Sequence, residues 1–275
     1  MKTFIRNVIL FMTLLILSSA ASAQEAFIIG VAPHTSTRII LEMYQPLRVH
    51  LEKSLQMPVE VITAPDFTEY ARRAVAQKYD LAITTGHQAR MLETDAKYIP
   101  LLTYKAEFKS VALVSAKGGI SKVADLRGKN VLGLSPTSLV TQWGEHWLAD
   151  NGLRGISLQY VSASDSVAQL LISGEAAAGF MSLANFKTLK PDVQRQLRIL
   201  AESPPMAGRV YVLNSRRAAQ KKKIDAALWE FAATPEGKRY FEKYNVEGYR
   251  KLKPGELKSM DRYAAEVRKE LGKKQ

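Results

Sequence analysis

One unit occurs twice in this chain, and it restricts the fold more than any other feature. Residues 71–88 read ARRAVAQKYDLAITTGHQ, and residues 166–185 read SVAQLLISGEAAAGFMSLAN. Each copy holds a short amphipathic helix, an acidic turn, a small apolar strand and a polar loop. The turn is Lys78-Tyr79-Asp80 in the first copy and Ser173-Gly174-Glu175 in the second. The strand at Leu81–Thr84 is too short and too apolar to sit anywhere but inside a sheet. Two copies about ninety residues apart predict two similar α/β lobes, each offering a strand-end loop to a shared cleft. That arrangement suits a small molecule better than a polymer.

The flanking sequence extends the pattern. Phe27–Val31 is an apolar strand followed by the polar loop 32–37, and Ile40, Tyr44, Leu47, Leu51 and Leu55 then fall at helical spacing. Pro58 stops that helix, Val59–Thr63 is a β-branched strand, and Asp66 is placed to cap the next helix. Strands are expected again at Lys109–Ser115, Asn130–Leu134, Ile156–Val161, Ala176–Met181, Leu197–Leu200 and Arg209–Leu213. Helices alternate with most of them, which predicts mostly parallel sheets flanked by helices. Ile224, Leu228 and Phe231 make the buried stripe of a charged, helical C-terminal part. The strand-like segments at 109–115 and 209–213 are the expected lobe crossings. Lobe one is then 24–115 with 209–275, and lobe two is 116–208.

Composition narrows the class. A basic start at Lys2 and Arg6, the apolar run Val8–Leu17 and the small-residue pattern Ala21-Ser22-Ala23 read as a signal peptide over 1–23. The expected location is the periplasm, with the mature chain starting near Gln24. There is no cysteine, so no disulfide and no thiol nucleophile is expected. Net charge is +13, and loss of Lys2 and Arg6 leaves +11. The charge clusters at Arg216-Arg217 with Lys221-Lys222-Lys223, and near the C-terminus, without interleaved aromatics. This reads as solvated helix faces, not a nucleic-acid surface. The four histidines, His34, His50, His87 and His146, lack metal-ligand spacing, and no catalytic motif or cofactor loop occurs. No cofactor, no metal and no enzymatic activity are expected.

Candidate ligand residues follow from where open α/β sheets bind ligands, beyond the carboxyl ends of their strands. His34, Thr35 and Ser36 lie in the first such loop; Thr84, Thr85, Gly86 and His87 lie in the third. The strand at 130–134 runs into Ser135-Pro136-Thr137-Ser138, where a helix is expected to start with Ser135 as N-cap and Pro136 as first residue. Thr137 and Ser138 there would meet an anion at the positive end of the helix. Phe67 and Tyr104 are candidates for an aromatic wall, whereas Trp143 and Trp147 fit the buried stripe of that helix.

Several segments also resemble a known family. They are FIIGVAPHTS at 27–36, VITAPDFTEYARRAV at 61–75, YDLAITTGHQA at 79–89, the run from Phe108 to Ser138 containing KVADLRG, and SDSVAQLLISGEAAAGFMS at 164–182. In this order the chain resembles type II periplasmic solute-binding proteins, within them the phosphate, phosphite and phosphonate receptors of ABC transporters. The resemblance implies two lobes that close like a hinge on a small anion and present it to a membrane permease. It also marks departures. Ser138-Leu139-Val140 stands where the family has Ser-Thr-Ser, and Phe67 stands where it often has Tyr. Ser164 replaces a frequent His, and Ser182 takes the place of an acid that meets a ligand amine. These changes argue against 2-aminoethylphosphonate. A sensory module feeding a histidine kinase is the alternative role on the same fold.

Overall fold

A computed structural model describes residues 25–273; the expected leader lies outside them. The first repeat sits in a six-stranded sheet. Its strands are β1 (Phe27–Val31), β2 (Val59–Ile62), β3 (Leu81–Thr85), β4 (Ile99–Tyr104), β10 (Arg209–Leu213) and β11 (Tyr249–Arg250), in the order β11-β4-β10-β3-β1-β2. The second repeat sits in a five-stranded sheet. It comprises β5 (Ser110–Ser115), β6 (Val131–Gly133), β7 (Leu158–Tyr160), β8 (Ala178–Ser182) and β9 (Leu197–Glu202), in the order β7-β6-β8-β5-β9. β3 and β8, the strands of the two repeats, occupy interior positions and are buried along their whole length.

The sheets are mixed. β1 runs parallel to β2 and β3, and β6 runs parallel to β7 and β8. The strands that arrive from the other lobe, β5 and β10, enter antiparallel. β5 pairs with β8 and β9, so 110–115 belongs to the second sheet and not, as expected, to the first lobe. The crossings are the short segments 105–109 and 203–208. They lie side by side: Met206 N–H donates to Phe108 O (2.9 Å) and Ser203 N–H to Ser110 O (2.9 Å).

Helix α1 (Thr37–Leu55) buries Ile40, Met43, Tyr44, Leu47, Leu51 and Leu55, one stripe at i, i+3 and i+4. Asp66 caps α2 (Phe67–Val75), its Oδ1 accepting from the N–H groups of Thr68 and Glu69 at 2.8 Å each. α3 (Gly86–Asp95) starts directly after β3, and α4 (Leu139–Asp150) follows β6. The second repeat supplies α5 (Ser164–Ile172), β8 and the short α6 (Leu183–Thr188). The helix expected at Pro136 begins three residues later. Leu134 N–H donates to Thr141 Oγ1 (2.9 Å), pinning the strand end to the first helical turn. Residues 135–137 are left as a turn, closed by Ser138 N–H on Ser135 O (3.0 Å), and Ser138 is the N-cap.

Arg216 and Arg217 are not a solvated cluster: both donate to Oδ1 of Asp80, at 2.8 and 2.7 Å. Asp80 is fully buried, and its Oδ2 accepts from Ile28 N–H at 2.9 Å. This carboxylate ties β1, β3 and the segment after β10 together. The C-terminal helix α7 (Asp261–Leu271) is also more than a charged appendage. It is held to α3 through Arg90–Asp261 (2.6 Å) and near its end through Arg268–Asp95 (2.7 Å). It then reaches α4 of the other lobe, where Glu266 meets His146 Nε2 at 2.6 Å and Tyr263 stacks on the imidazole.

Candidate functional site

The two lobes meet at the carboxyl ends of β1, β3, β6 and β8, where such sheets present their loops. Besides the Glu266–His146 contact, two sets of hydrogen bonds join them here. On one side Thr137 O accepts from His87 Nε2 (2.9 Å) and Gln88 Nε2 (3.2 Å), while the Thr137 and Thr68 hydroxyls lie 3.1 Å apart. On the other, His34 O accepts from Asn185 Nδ2 (2.9 Å) and Ser164 Oγ (3.2 Å). Between them lies a narrow cavity lined by both lobes. The first lobe lines it with Ala32, His34, Phe67, Thr84, Thr85 and Arg209. The second adds Leu134, Ser138, Leu139, Val140, Ser182 and Asn185, and the crossing segment adds Phe108. The walls are mainly apolar, with a few convergent polar groups, as in small-molecule sites generally.

The amino end of α4 faces this space through Ser138, Leu139 and Val140. No side chain caps it, and its first turn carries no acid. Its leading N–H groups and its dipole therefore favour an anion. Arg209 opens β10 and is partly buried. It has no carboxylate partner among the described residues; its neighbours include the Met43 sulfur, 3.9 Å from Nη1, and the Tyr44 phenol. Burial pulls its pKa down, but the phenols of Tyr44, Tyr104 and Tyr240 outweigh this and raise it.

Of the residues expected at the site, His34, Phe67, Thr85, Ser138 and Ser182 line the cavity. Thr35 and Ser164 line an adjoining depression that shares His34, Asn185 and Arg209. Thr137 is fully buried beside the cavity and carries the interlobe bonds. His87 is drawn into that contact. Its Nε2 faces a carbonyl and must donate, so Nδ1 accepts from the Thr85 hydroxyl (3.1 Å). Burial brings its pKa down to about 4, against the opposing pull of the Thr137 carbonyl and Glu266. Gly86 answers to packing: a Cβ there would stand 2.4 Å from Ala207 Cβ in the crossing segment.

Ser36 sits at the N-cap position of α1 without a side-chain cap bond. Ser135 opens onto a different surface depression, with Pro65, Asp66 and Tyr160. Tyr104 lies away from the cavity lining. Its hydroxyl meets Tyr211 (2.7 Å) and Tyr240 within a buried cluster that also includes Tyr249. Sequence reasoning missed Arg209, Asn185 and Phe108 as individual side chains. The one signal for Arg209 was an arginine opening the otherwise apolar strand RVYVL.

Two α/β lobes, two antiparallel entry strands and a cleft between the lobes at the strand ends define a type II periplasmic binding protein. The chain belongs to the family described as the periplasmic phosphonate substrate-binding proteins of ABC transporters; the family model matches residues 29–257. Solved structures agree on the fold. PhnD1 from Prochlorococcus marinus, in complex with methylphosphonate, is 16% identical, with 89% of this chain and 98% of that one covered and a TM-score of 0.78. A binding-protein component of a Pseudomonas aeruginosa ABC phosphonate transporter is 16% identical, with 90% and 98% coverage and a TM-score of 0.73. XAC2383 from Xanthomonas citri, bound to ATP, is 17% identical, with 89% and 98% coverage and a TM-score of 0.73.

Proposed function

We propose that this chain captures a small oxyanion bearing a short apolar tail, closes its lobes on it and delivers it to the permease of an ABC transporter. The observation that carries this reading is the meeting of two unmatched positive groups, the uncapped start of α4 and Arg209, in one largely apolar cavity. The anionic head sits where these converge, and Phe67, Leu139 and Val140 receive the tail. No Asp or Glu lines the cavity among the described residues, so a ligand amine has no carboxylate partner there. Methylphosphonate, found in complex with PhnD1, has this charge pattern and a one-carbon apolar tail. No observation favours the sensory alternative, and no catalytic step is assigned to these residues.

The moving bodies are residues 25–104 with 209–273, and residues 110–202. They hinge at the paired segments 105–109 and 203–208. Export and removal of residues 1–23 complete the reading; amino-terminal sequencing of protein from the periplasmic fraction should start at Gln24. The central test is ligand-dependent melting and calorimetry with phosphonates, phosphate, phosphite, sulfonates and carboxylates. A ligand at a hundredfold its Kd adds about 2.7 kcal/mol to folding stability. Val140→Trp, which fills the cavity, should abolish the shift. Binding that survives this substitution, or a shift with none of these anions, would sink the proposal.

A further inference from the structure

Two side chains of the cavity have hydrogen-bonding needs that the protein meets only in part. Arg209 has only donors to offer and no carboxylate partner among the described residues. His34 is its complement. Nδ1 lies 2.9 Å from the Ala32 carbonyl oxygen, and a carbonyl cannot donate, so Nδ1 carries the hydrogen. Burial, and next the charge of Arg209, hold the imidazole pKa well below the ordinary histidine range against the pull of the Ala32 carbonyl. The ring is thus neutral near pH 7, and Nε2 presents a lone pair. That nitrogen is shielded from solvent and has no hydrogen-bond partner. The other ionisable groups around the pair are the phenols of Tyr44, Tyr104, Tyr240 and Tyr244, with Asp165 in the adjoining depression.

Arg209, a cation that only donates, and His34, whose unpartnered Nε2 only accepts, both belong to the lining of the same cavity. A fully ionised tetrahedral anion satisfies the first and repels the second. An anion that keeps one acidic O–H satisfies both. We propose that His34 and Arg209 select the singly protonated form of a tetrahedral oxyanion, Arg209 donating to its ionised oxygens and His34 Nε2 accepting from its remaining O–H. This rests on the cleft reading above and narrows it. The favoured ligand is a hydrogenphosphonate monoanion, and a sulfonate of the same shape, with no proton to give at neutral pH, is discriminated against. A polar site left unpaired by an analogue rejects that analogue more strongly than an apolar wall does.

The test is calorimetric titration of the mature protein at pH 7 with methylphosphonate, methanesulfonate and dimethylphosphinate. The last two are tetrahedral monoanions without an acidic proton. Wild type should prefer methylphosphonate by at least about tenfold, the scale of one lost hydrogen bond to a buried polar group. His34→Phe should erase the preference while sulfonate binding persists. Arg209→Met should weaken all three ligands by about tenfold or more. The wild-type comparison needs no variant to fold. Equal wild-type affinities, or a preference that survives His34→Phe, overturn the proton readout and leave the cleft reading standing. Absence of binding by all three anions overturns the proton readout; the cleft reading falls with it if phosphate, phosphite and carboxylates also fail to bind.

Discussion

Replacing Asp80 with asparagine should cost the fold about 2–3 kcal/mol at pH 7. The carboxylate is fully buried and accepts from Arg216, Arg217 and the Ile28 N–H. Removing one partner of a buried ion pair costs about 3–5 kcal/mol when the other charge is stranded. Here the stranding is incomplete. The Arg216 side chain is 40% exposed and that of Arg217 16%, so both guanidinia regain some water, and the amide oxygen still accepts one bond. This lowers the cost to about 2–3 kcal/mol. At about 2–4 °C per kcal/mol for a chain of this size, the melting temperature should fall by about 4–12 °C. The pH dependence gives a second reading. Burial alone would raise the Asp80 pKa, but hydrogen bonds from Arg217, Ile28 N–H and Arg216 outweigh it and hold the carboxyl below its ordinary range. A group depressed in the folded state stabilises above its unfolded pKa of about 3.9 and loses that contribution as pH falls through the folded value. Urea melts followed by tryptophan fluorescence should therefore show a wild-type-to-variant gap that is full at pH 7 and shrinks only below about pH 4. A gap under about 0.5 kcal/mol at pH 7, or one that persists undiminished at pH 2.5, would refute the ion-pair argument.

Three further outcomes are expected. His87 is buried neutral with its pKa brought down to about 4, so its contribution is complete above about pH 6.5 and is lost between there and about pH 4, by up to about 3 kcal/mol; His87→Gln should flatten that part of the stability profile relative to wild type. Breaking the contact at Thr137 with the double variant His87→Phe, Gln88→Leu removes two interlobe hydrogen bonds, worth about 1–3 kcal/mol together; ligand affinity should fall at least about fivefold, and small-angle scattering should report a larger radius of gyration with ligand present. Gly86→Ala drives a methyl group against Ala207 and should cost about 1–3 kcal/mol in denaturant melts, whereas Gly119→Ala, with open space at its Cβ, should stay within about 0.5 kcal/mol.

The interior strands were legible because burial on both faces writes an unbroken apolar run, and both repeat strands carry one. Direction was not legible. A five- or six-residue apolar run such as Ser110–Ser115 reads the same whether it pairs parallel or antiparallel, and only the crossing geometry decides which sheet receives it. The cap of α2 was readable because Asp66 acts within three residues. The start of α4 was not, because the Leu134–Thr141 bond competes with Ser135 for control of that turn. Arginines resisted most. Arg216 and Arg217 meet Asp80 across about 136 residues of sequence, and Arg209 reaches the cleft from the far crossing. Charge in a sequence gives its sign, while its partner is a property of the fold.

The site side chains also say what couples ligand to closure. Four hydrogen bonds from His87, Gln88, Asn185 and Ser164 draw the lobes together, worth about 2–6 kcal/mol before the ordering of the hinge is subtracted. The same approach draws Arg209 partly out of water beside apolar walls and a neutral imidazole, without a carboxylate to meet it. Desolvating an unpaired charge opposes closure by a comparable few kcal/mol. The second term offsets part of the first, so the protein alone gains less by closing. An anion changes the balance. It supplies the missing counter-charge to Arg209 and the helix start at once, and it does so only when both lobes contribute. A ligand shifts a conformational equilibrium by its differential affinity alone, and contacts divided between two lobes make that difference large. Arg209→Met should thus weaken the anion and ease closure in its absence, a pair of effects that a purely structural arginine would not produce.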